Sequence, residues 1–472
     1  LEAALVLSTN GIPAYLWDSL RPTPMLSFAV RELGATAGIV ITASHNPPQY
    51  NGYKVYWEDG GQAPPELARG IQDEIRGITD ITTVQPMPES EARARGLLRP
   101  VPDWVDAHYI ERVLGLLTLD ETTCETCSVL YTPLHGTGAI PVGQALTEAG
   151  FQVTMVPEQA LPDPDFPTVA YPNPEEPEVF SIALRRATNE QPDVIMATDP
   201  DADRLGVMAR DRGGTYRLLT GNQLGALLVD YLLSRRAELG TLPVNGAVVK
   251  TIATSNLVVR LCQEYGATVV DTHTGFKFIG DKIREWEETG THTYLFGFEE
   301  SYGYLAADFV RDKDGVMAAL LVAEATAYHK SQGRTLYEAL ERIWRQYGYF
   351  VEDLHSINLP GKDGQAVIAR MMESLRGAPP TEFGGMPVCV TDDYSTGLGF
   401  DHVTGDQYPL RLGKANVLHY RFADGGFVMV RPSGTEPKLK IYFSTTGSSQ
   451  AEAQARLAGI KRDAVARLGL RA

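Results

Sequence analysis

A small hydroxyl at the mouth of a strand, with an imidazole beside it and an ammonium ten residues on, is a candidate phosphoryl carrier. Ser44, His45 and Lys54 make that set. The β-branched run Gly38 to Thr42 predicts a buried strand that leads into Ser44, and Asn46-Pro47-Pro48 stops it from continuing as strand or helix. Taken alone, a Ser-His pair reads as an ordinary turn. A second set lies in Thr198 to Gly206, where Asp199, Asp201 and Asp203 recur at every second residue. Extended backbone would aim the three carboxylates to one side. Such a cluster repels itself unless a divalent cation is present, and hard oxygen donors suit Mg²⁺. A calcium loop of the EF-hand type is excluded, because Arg204 and Arg210 stand where it needs glycine and glutamate. The bland alternative is a solvated acidic turn.

Two later stretches carry recognition chemistry. Gly297-Phe-Glu-Glu-Ser-Tyr-Gly303 offers carboxylates and a hydroxyl to the vicinal hydroxyls of a sugar, or equally a helix-capping segment. Arg431, Ser433, Gly434 and Thr435 offer a guanidinium fork, two hydroxyls and open backbone N–H groups to a phosphate dianion, or equally a common turn.

Together these loops identify a family. Thr42-Ala-Ser-His-Asn-Pro47 resembles the active-serine loop of the α-D-phosphohexomutases, the phosphoglucomutase and phosphomannomutase family, and the other loops resemble its remaining signatures in the same order. The resemblance implies a phosphoserine at Ser44, and Mg²⁺ on Asp199, Asp201 and Asp203 with the Ser44 phosphate as fourth ligand. Lys54 becomes the candidate general acid/base, assisted by His45. Arg204 would face phosphate, Glu299 and Ser301 would bind the sugar, and Arg431 to Thr435 would hold the nonreacting phosphate. The expected reaction moves a phosphoryl group between the 1-position and the 6- or 5-position of an aldose phosphate through a sugar 1,6-bisphosphate. Many phosphomannomutase-type members have histidine two residues after the sugar-loop serine. This chain has Gly303, and with Thr274-Gly-Phe-Lys277 and Arg311-Asp-Lys-Asp-Gly315 it looks more like the glucomutase and phosphopentomutase branches. Lys277 is therefore carried as substrate-binding. Glucose 1-phosphate and glucose 6-phosphate are the expected pair, with pentose and mannose phosphates as alternatives. A phosphatase that hydrolyses the phosphoserine is a second enzyme reading. The family's usual N-terminal segment, with a further strand and an arginine loop, is expected to be missing, so a noncatalytic sugar-phosphate-binding protein is the reading from a different class.

Composition narrows the partners. A length of 472 residues predicts three or four domains. The net charge of −17 argues against nucleic acid or an anionic membrane, but leaves room for a basic pocket that takes an anionic small molecule. Four cysteines in a chain this long do not make a disulfide scaffold, which favours a reducing cytoplasm. Cys124-Glu-Thr-Cys127 has metal or redox spacing without a second pair to complete zinc, and reads as two cysteines in a connecting segment. Both a monomer and a homodimer remain open.

Elements that could position these loops follow from periodicity. A strand, a glycine turn and a helix recur from residue 128 onward, which predicts α/β modules with parallel sheets. Strands in succession after Glu352 predict an α+β unit. The expected fold is α/β: three doubly wound α/β modules plus a C-terminal α+β domain around a central cleft. The expected boundaries are 1–120 for the serine domain, 127–238 for the metal domain, 244–350 for the sugar domain and 352–472 for the phosphate domain. Residues 80–103 and 157–178, rich in proline, read as surface connections. Pro133 to Gly138 reads as a plain strand-to-helix turn rather than an anion cradle.

Overall fold

Apolar β-branched stretches alternate with helices through the first two-thirds of the chain, and strands succeed one another after it. The computed structural model describes residues 1–359, 363–433 and 437–468. These divide into two units: Leu1–Val249 with Gly275–Glu338, and Lys250–Thr274 with the chain from Ala339 onward.

The first unit is built on a five-stranded sheet. Its spatial order is Gln152–Met155, Ser128–Thr132, Val194–Thr198, Leu205–Arg210, Tyr216–Leu218. The first three strands are parallel, joined by helices Ala139–Glu148 and Ser181–Glu190; the last two turn antiparallel. Val194–Thr198 is buried at every residue, as a strand covered on both faces must be. Leu130, Ile195, Phe180 and Val179 fill the layer beneath it. Helix Gly315–Ser331 is buried at 14 of its 17 positions, Glu324 and His329 among them, so it is a core element and not an amphipathic cover. Nearer the N-terminus, strand Ala37–Thr42 pairs antiparallel with Gly52–Trp57, and Val40 lies opposite Lys54. That hairpin places Ser44 and Lys54 at the same end.

The second unit carries a seven-stranded antiparallel sheet in the order Tyr349–Asn358, Lys438–Gly447, Phe427–Pro432, Leu418–Arg421, Val390–Asp393, Leu398–Asp401, Gln407–Pro409. Helices Gly364–Gly377 and Gln450–Arg467 cover one face through Ile368, Met372 and Ile460 against Leu439, Ile441 and Phe443. Ile252 and Ala253 pack with Phe427, Met429 and Tyr442.

One local expectation is corrected. Residues 80–103 are not all surface connection: helix Glu89–Ala94 and strand Leu98–Pro100 bury Met87, Ala92 and Leu98 against Ala4 and Leu5. The stretch from Met386 to Asp393 holds two short strands, Met386–Pro387 and Val390–Asp393. The ten-residue pair Tyr349–Asn358 and Lys438–Gly447 was not anticipated, because each strand interleaves polar and charged residues with apolar ones.

Candidate active site

Ser44 sits just past the strand end in the left-handed region, φ 53°, with its N–H donating to Thr42 Oγ1 at 2.8 Å. A residue other than glycine is uncommon there, and such strain concentrates at working positions. The turn aims Ser44 Oγ to 3.1 Å from His45 Nδ1 and 3.4 Å from Asp199 Oδ2.

The aspartates converge by a different route from the one expected. The segment after Val194–Thr198 is not extended. It reverses directly into Leu205–Arg210, with Thr198 opposite Leu205 and Ala202 at φ 49°. Asp199 Oδ1 closes the reversal by accepting the N–H groups of Asp203 and Arg204 at 3.1 and 3.0 Å. One ligand oxygen from each of Asp199, Asp201 and Asp203 lies within 4.8 Å of the others, and all three residues are buried. Pro133 to Gly138 braces this reversal: Thr137 donates its N–H to Pro200 O at 2.7 Å. A Cβ on Gly136 would come within 2.3 Å of Pro200 Cα, so only glycine permits the approach. The N–H of Thr137 is thereby committed to protein, in agreement with a structural turn.

Three cations answer the carboxylates. Lys54 Nζ lies 3.2 Å from Asp201 and 3.6 Å from Asp203, and Lys313 Nζ lies 2.8 Å from Asp203. Arg204 stands 3.9–4.0 Å from Asp203 and Asp199 and bonds Glu175 at 3.0 Å. Burial and the repulsion of Asp203 and Asp201 push the Asp199 carboxyl up. Burial also opposes ionisation of Asp203, but Lys313, Lys54 and Arg204 outweigh it and hold that carboxyl low. Asp201 Oδ1 and Asp203 Oδ1 are buried without a hydrogen-bond partner among the described residues. Partnerless buried carboxylate oxygens are costly unless something cationic fills the gap between them, so these residues fit a hard divalent cation. Burial, then Arg204, lowers His45 to about 3, which leaves it neutral near pH 7.

Lys313 was not singled out from the sequence as a site residue. It belongs to Arg311–Gly315, a segment in which every residue ties down a neighbour. Arg311 N–H donates to Ser27 Oγ, Asp312 accepts from Tyr56 and Gln62, Asp314 accepts from Tyr109, and Gly315 N–H donates to Ala202 O. The alternation of basic and acidic residues from Arg311 to Asp314 is the sequence signal that marks it. Thr23, whose hydroxyl donates to Asp201 Oδ2 at 3.0 Å, gave none. Replacing Lys313 by methionine removes the ammonium between buried Asp203 and Asp312. Urea denaturation of the metal-free variant should show a loss of about 3 kcal/mol.

Glu299 ends strand Thr293–Glu299 and accepts the Gly275 N–H at 2.7 Å. Ser301 follows in the turn to Gly303–Leu305. The glycine at 303 has a local reason: a Cβ there would lie 2.6 Å from Lys313 Cδ. A histidine at 303 would displace the side chain that holds Asp203. Lys277, in the first turn of helix Phe276–Thr289, has its ammonium 5.2 Å from the Phe278 ring centre. It makes no ion pair with the aspartate cluster among the described residues. Arg431 and Ser433 belong to the second unit, where Ser433 N–H donates to Lys438 O at 2.7 Å. Gly434 and Thr435 lie outside the described residues.

Burial and the neighbouring Glu300 raise Glu299 to about 7, against the pull of Lys313. A carboxyl raised in the folded state contributes stability that is fully present below its unfolded value and is lost as the pH climbs through about 7. Glu299→Gln should therefore remove that decline and be more stable than the parent above pH 7, read by chemical denaturation across pH.

Models of the phosphoglucomutase/phosphomannomutase α/β/α domains I, II and III match residues 2–82, 107–214 and 220–347, and that of the C-terminal domain matches 389–458. A phosphoglucomutase of Staphylococcus haemolyticus is 38% identical over 440 residues, covering 93% of this chain and 78% of its own length. The phosphoglucomutase parafusin of Paramecium, in an open form, superposes with a TM-score of 0.72 at 18% identity over 99% of this chain and 84% of that one. A phosphoglucomutase/phosphomannomutase family protein of Burkholderia thailandensis gives 0.66 at 20% identity over 95% and 82%. At those identities the two structures show a shared fold.

Proposed function

Because the chain belongs to the phosphoglucomutase/phosphomannomutase family, the α-D-phosphohexomutases, we propose that it interconverts glucose 1-phosphate and glucose 6-phosphate through a phosphoserine at Ser44. The enzyme is a phosphosugar mutase, an intramolecular phosphotransferase. The observation that carries the assignment to Ser44 is its Oγ, 3.4 Å from one carboxylate of a buried three-aspartate cluster. Phosphoryl transfer depends on positioning and on charge stabilisation more than on a strong nucleophile. Asp199, Asp201 and Asp203 would hold Mg²⁺, which when bound would neutralise phosphate charge beside Ser44.

The protein groups divide the remaining work. Arg204, already between Asp199 and Asp203, presents its guanidinium to phosphate. Lys54, held at Nζ by Asp201, protonates the seryl oxygen as the phosphoryl group leaves and is reprotonated by the proton that the attacking sugar hydroxyl gives up; in the return step both transfers reverse. Neutral His45 orients Ser44 Oγ through Nδ1. Glu299 and Ser301 bind sugar hydroxyls, with Lys277 on the substrate. Arg431, Ser433, Gly434 and Thr435 hold the phosphate that does not react. The sugar 1,6-bisphosphate then turns over, and the same compound serves as activator. The proposed division is 1–120, 127–238, 244–350 and 352–472, for serine, metal, sugar and phosphate. A cytoplasmic enzyme, monomer or homodimer, fits the four unpaired cysteines. No helix among the described residues is long and apolar enough to cross a membrane.

Isomerisation assays with glucose, mannose and pentose 1-phosphates side by side test the reading. Turnover should be fastest with glucose 1-phosphate. Faster turnover of the pentose or mannose ester would move the substrate assignment, and phosphate release without isomerisation would replace the mutase with a phosphatase.

A further inference from the structure

Away from the aspartate cluster, the first unit has a cavity of about 140 Å³ lined by Arg210, Arg212, Lys330 and Arg334 together with Asp193 and Asp211. In a chain of net charge −17, such a gathering of cations calls for a cause. The carboxylates do not supply it. Asp193 is committed to Ser128, through its N–H at 2.8 Å and hydroxyl at 2.9 Å, and takes Lys330 at 2.7 Å. Asp211 accepts the Thr215 N–H and pairs with Arg217 at 2.9 Å. Arg212 is turned outward, 91% exposed, to Glu338 at 3.2 Å.

Two guanidiniums are left with donors to give. Arg210 makes no side-chain hydrogen bond or ion pair among the described residues. Arg334 bonds Gln332, but its Nε is buried without a hydrogen-bond partner among the described residues. A guanidinium presents its donors in a fixed plane that matches two oxygens of a phosphate. The volume is below the roughly 300 Å³ at which drug-sized ligand pockets begin, and suits a phosphate group.

The position is separate from the active site. Strand Leu205–Arg210 begins beside the aspartate loop and reaches the cavity at its other end, roughly 17 Å away at strand rise. Helix Gly315–Ser331 likewise starts on Ala202 and brings Lys330 to the cavity about 22 Å further along.

We propose that this cavity is a second anion site, binding inorganic phosphate or the phosphate end of a small metabolite between Arg210, Lys330 and Arg334. The test is calorimetric titration of the full chain with inorganic phosphate and, separately, with glycerol 2-phosphate. Parent and Arg210→Met/Arg334→Met proteins both keep the active site, so their difference isolates the cavity. One class of phosphate site should weaken about tenfold or more in the variant, while mutase kcat/KM stays at the parental value. A response to inorganic phosphate alone would assign the free ion; a response to both would assign the phosphate end of a metabolite. Superimposable titrations of parent and variant would overturn the proposal, as would equal weakening with chloride as titrant. If the double variant does not fold, Arg210→Met alone gives the same readout, since its side chain has no hydrogen-bond or ion-pair partner to lose among the described residues.

Discussion

Ser44→Ala should lower mutase turnover by on the order of 10⁶, the scale on which removal of a covalent nucleophile acts. Removing Oγ takes away the atom that the turn after Thr42 presents to both His45 and Asp199. The fold should not suffer. The residue is half-buried, its N–H bond to Thr42 is retained, and Asp199 keeps two backbone donors. Far-UV circular dichroism and thermal melting should therefore match the parent, while mass spectrometry after incubation with glucose 1,6-bisphosphate shows no added phosphate. Substrate affinity should change little, because the groups proposed to grip the sugar and its distal phosphate lie elsewhere. Residual turnover within tenfold of the parent would remove Ser44 from the reaction path.

Much of this arrangement was legible in the sequence, for reasons that can be named. Ser44 followed an apolar strand and preceded two prolines, so its place at a strand mouth came from local rules. The aspartates were legible as a group but not as a shape. An extended segment was the premise for their convergence, whereas a reversal with Ala202 left-handed does the work, and nothing in Asp-Ala-Asp announces a left-handed alanine. Lys313 lies 110 residues from Asp203, and no periodicity links the two. Only the packing of helix Gly315–Ser331 against the loop, through Gly315 and Ala202, makes them neighbours. The same contact gives Gly303 a meaning that family resemblance could not supply: it is the space that Lys313 occupies. Strand Gly52–Trp57 was missed because Tyr53, Lys54 and Tyr56 do not alternate by polarity, yet its pairing is what brings Lys54 to the aspartates.

Asp199→Asn should separate folding from function with opposite signs. In the metal-free protein the Asp199 carboxyl is raised by burial and by two like charges, so its ionised form is a liability near neutral pH. Asparagine keeps an oxygen for the N–H groups of Asp203 and Arg204 and removes the charge. In EDTA the variant should melt at or above the parental temperature. With Mg²⁺ the order reverses. The parent gains about 2.7 kcal/mol at a hundredfold excess over Kd, since a ligand that binds only the folded state stabilises it by mass action. The variant, with one anionic ligand gone, should gain little and should lose turnover by about 10³, the scale on which loss of one electrostatic stabiliser acts. The pairing of the two measurements is what discriminates. A cluster that served only to pair with Lys54, Lys313 and Arg204 would show the stability change without any dependence on Mg²⁺, and turnover would survive.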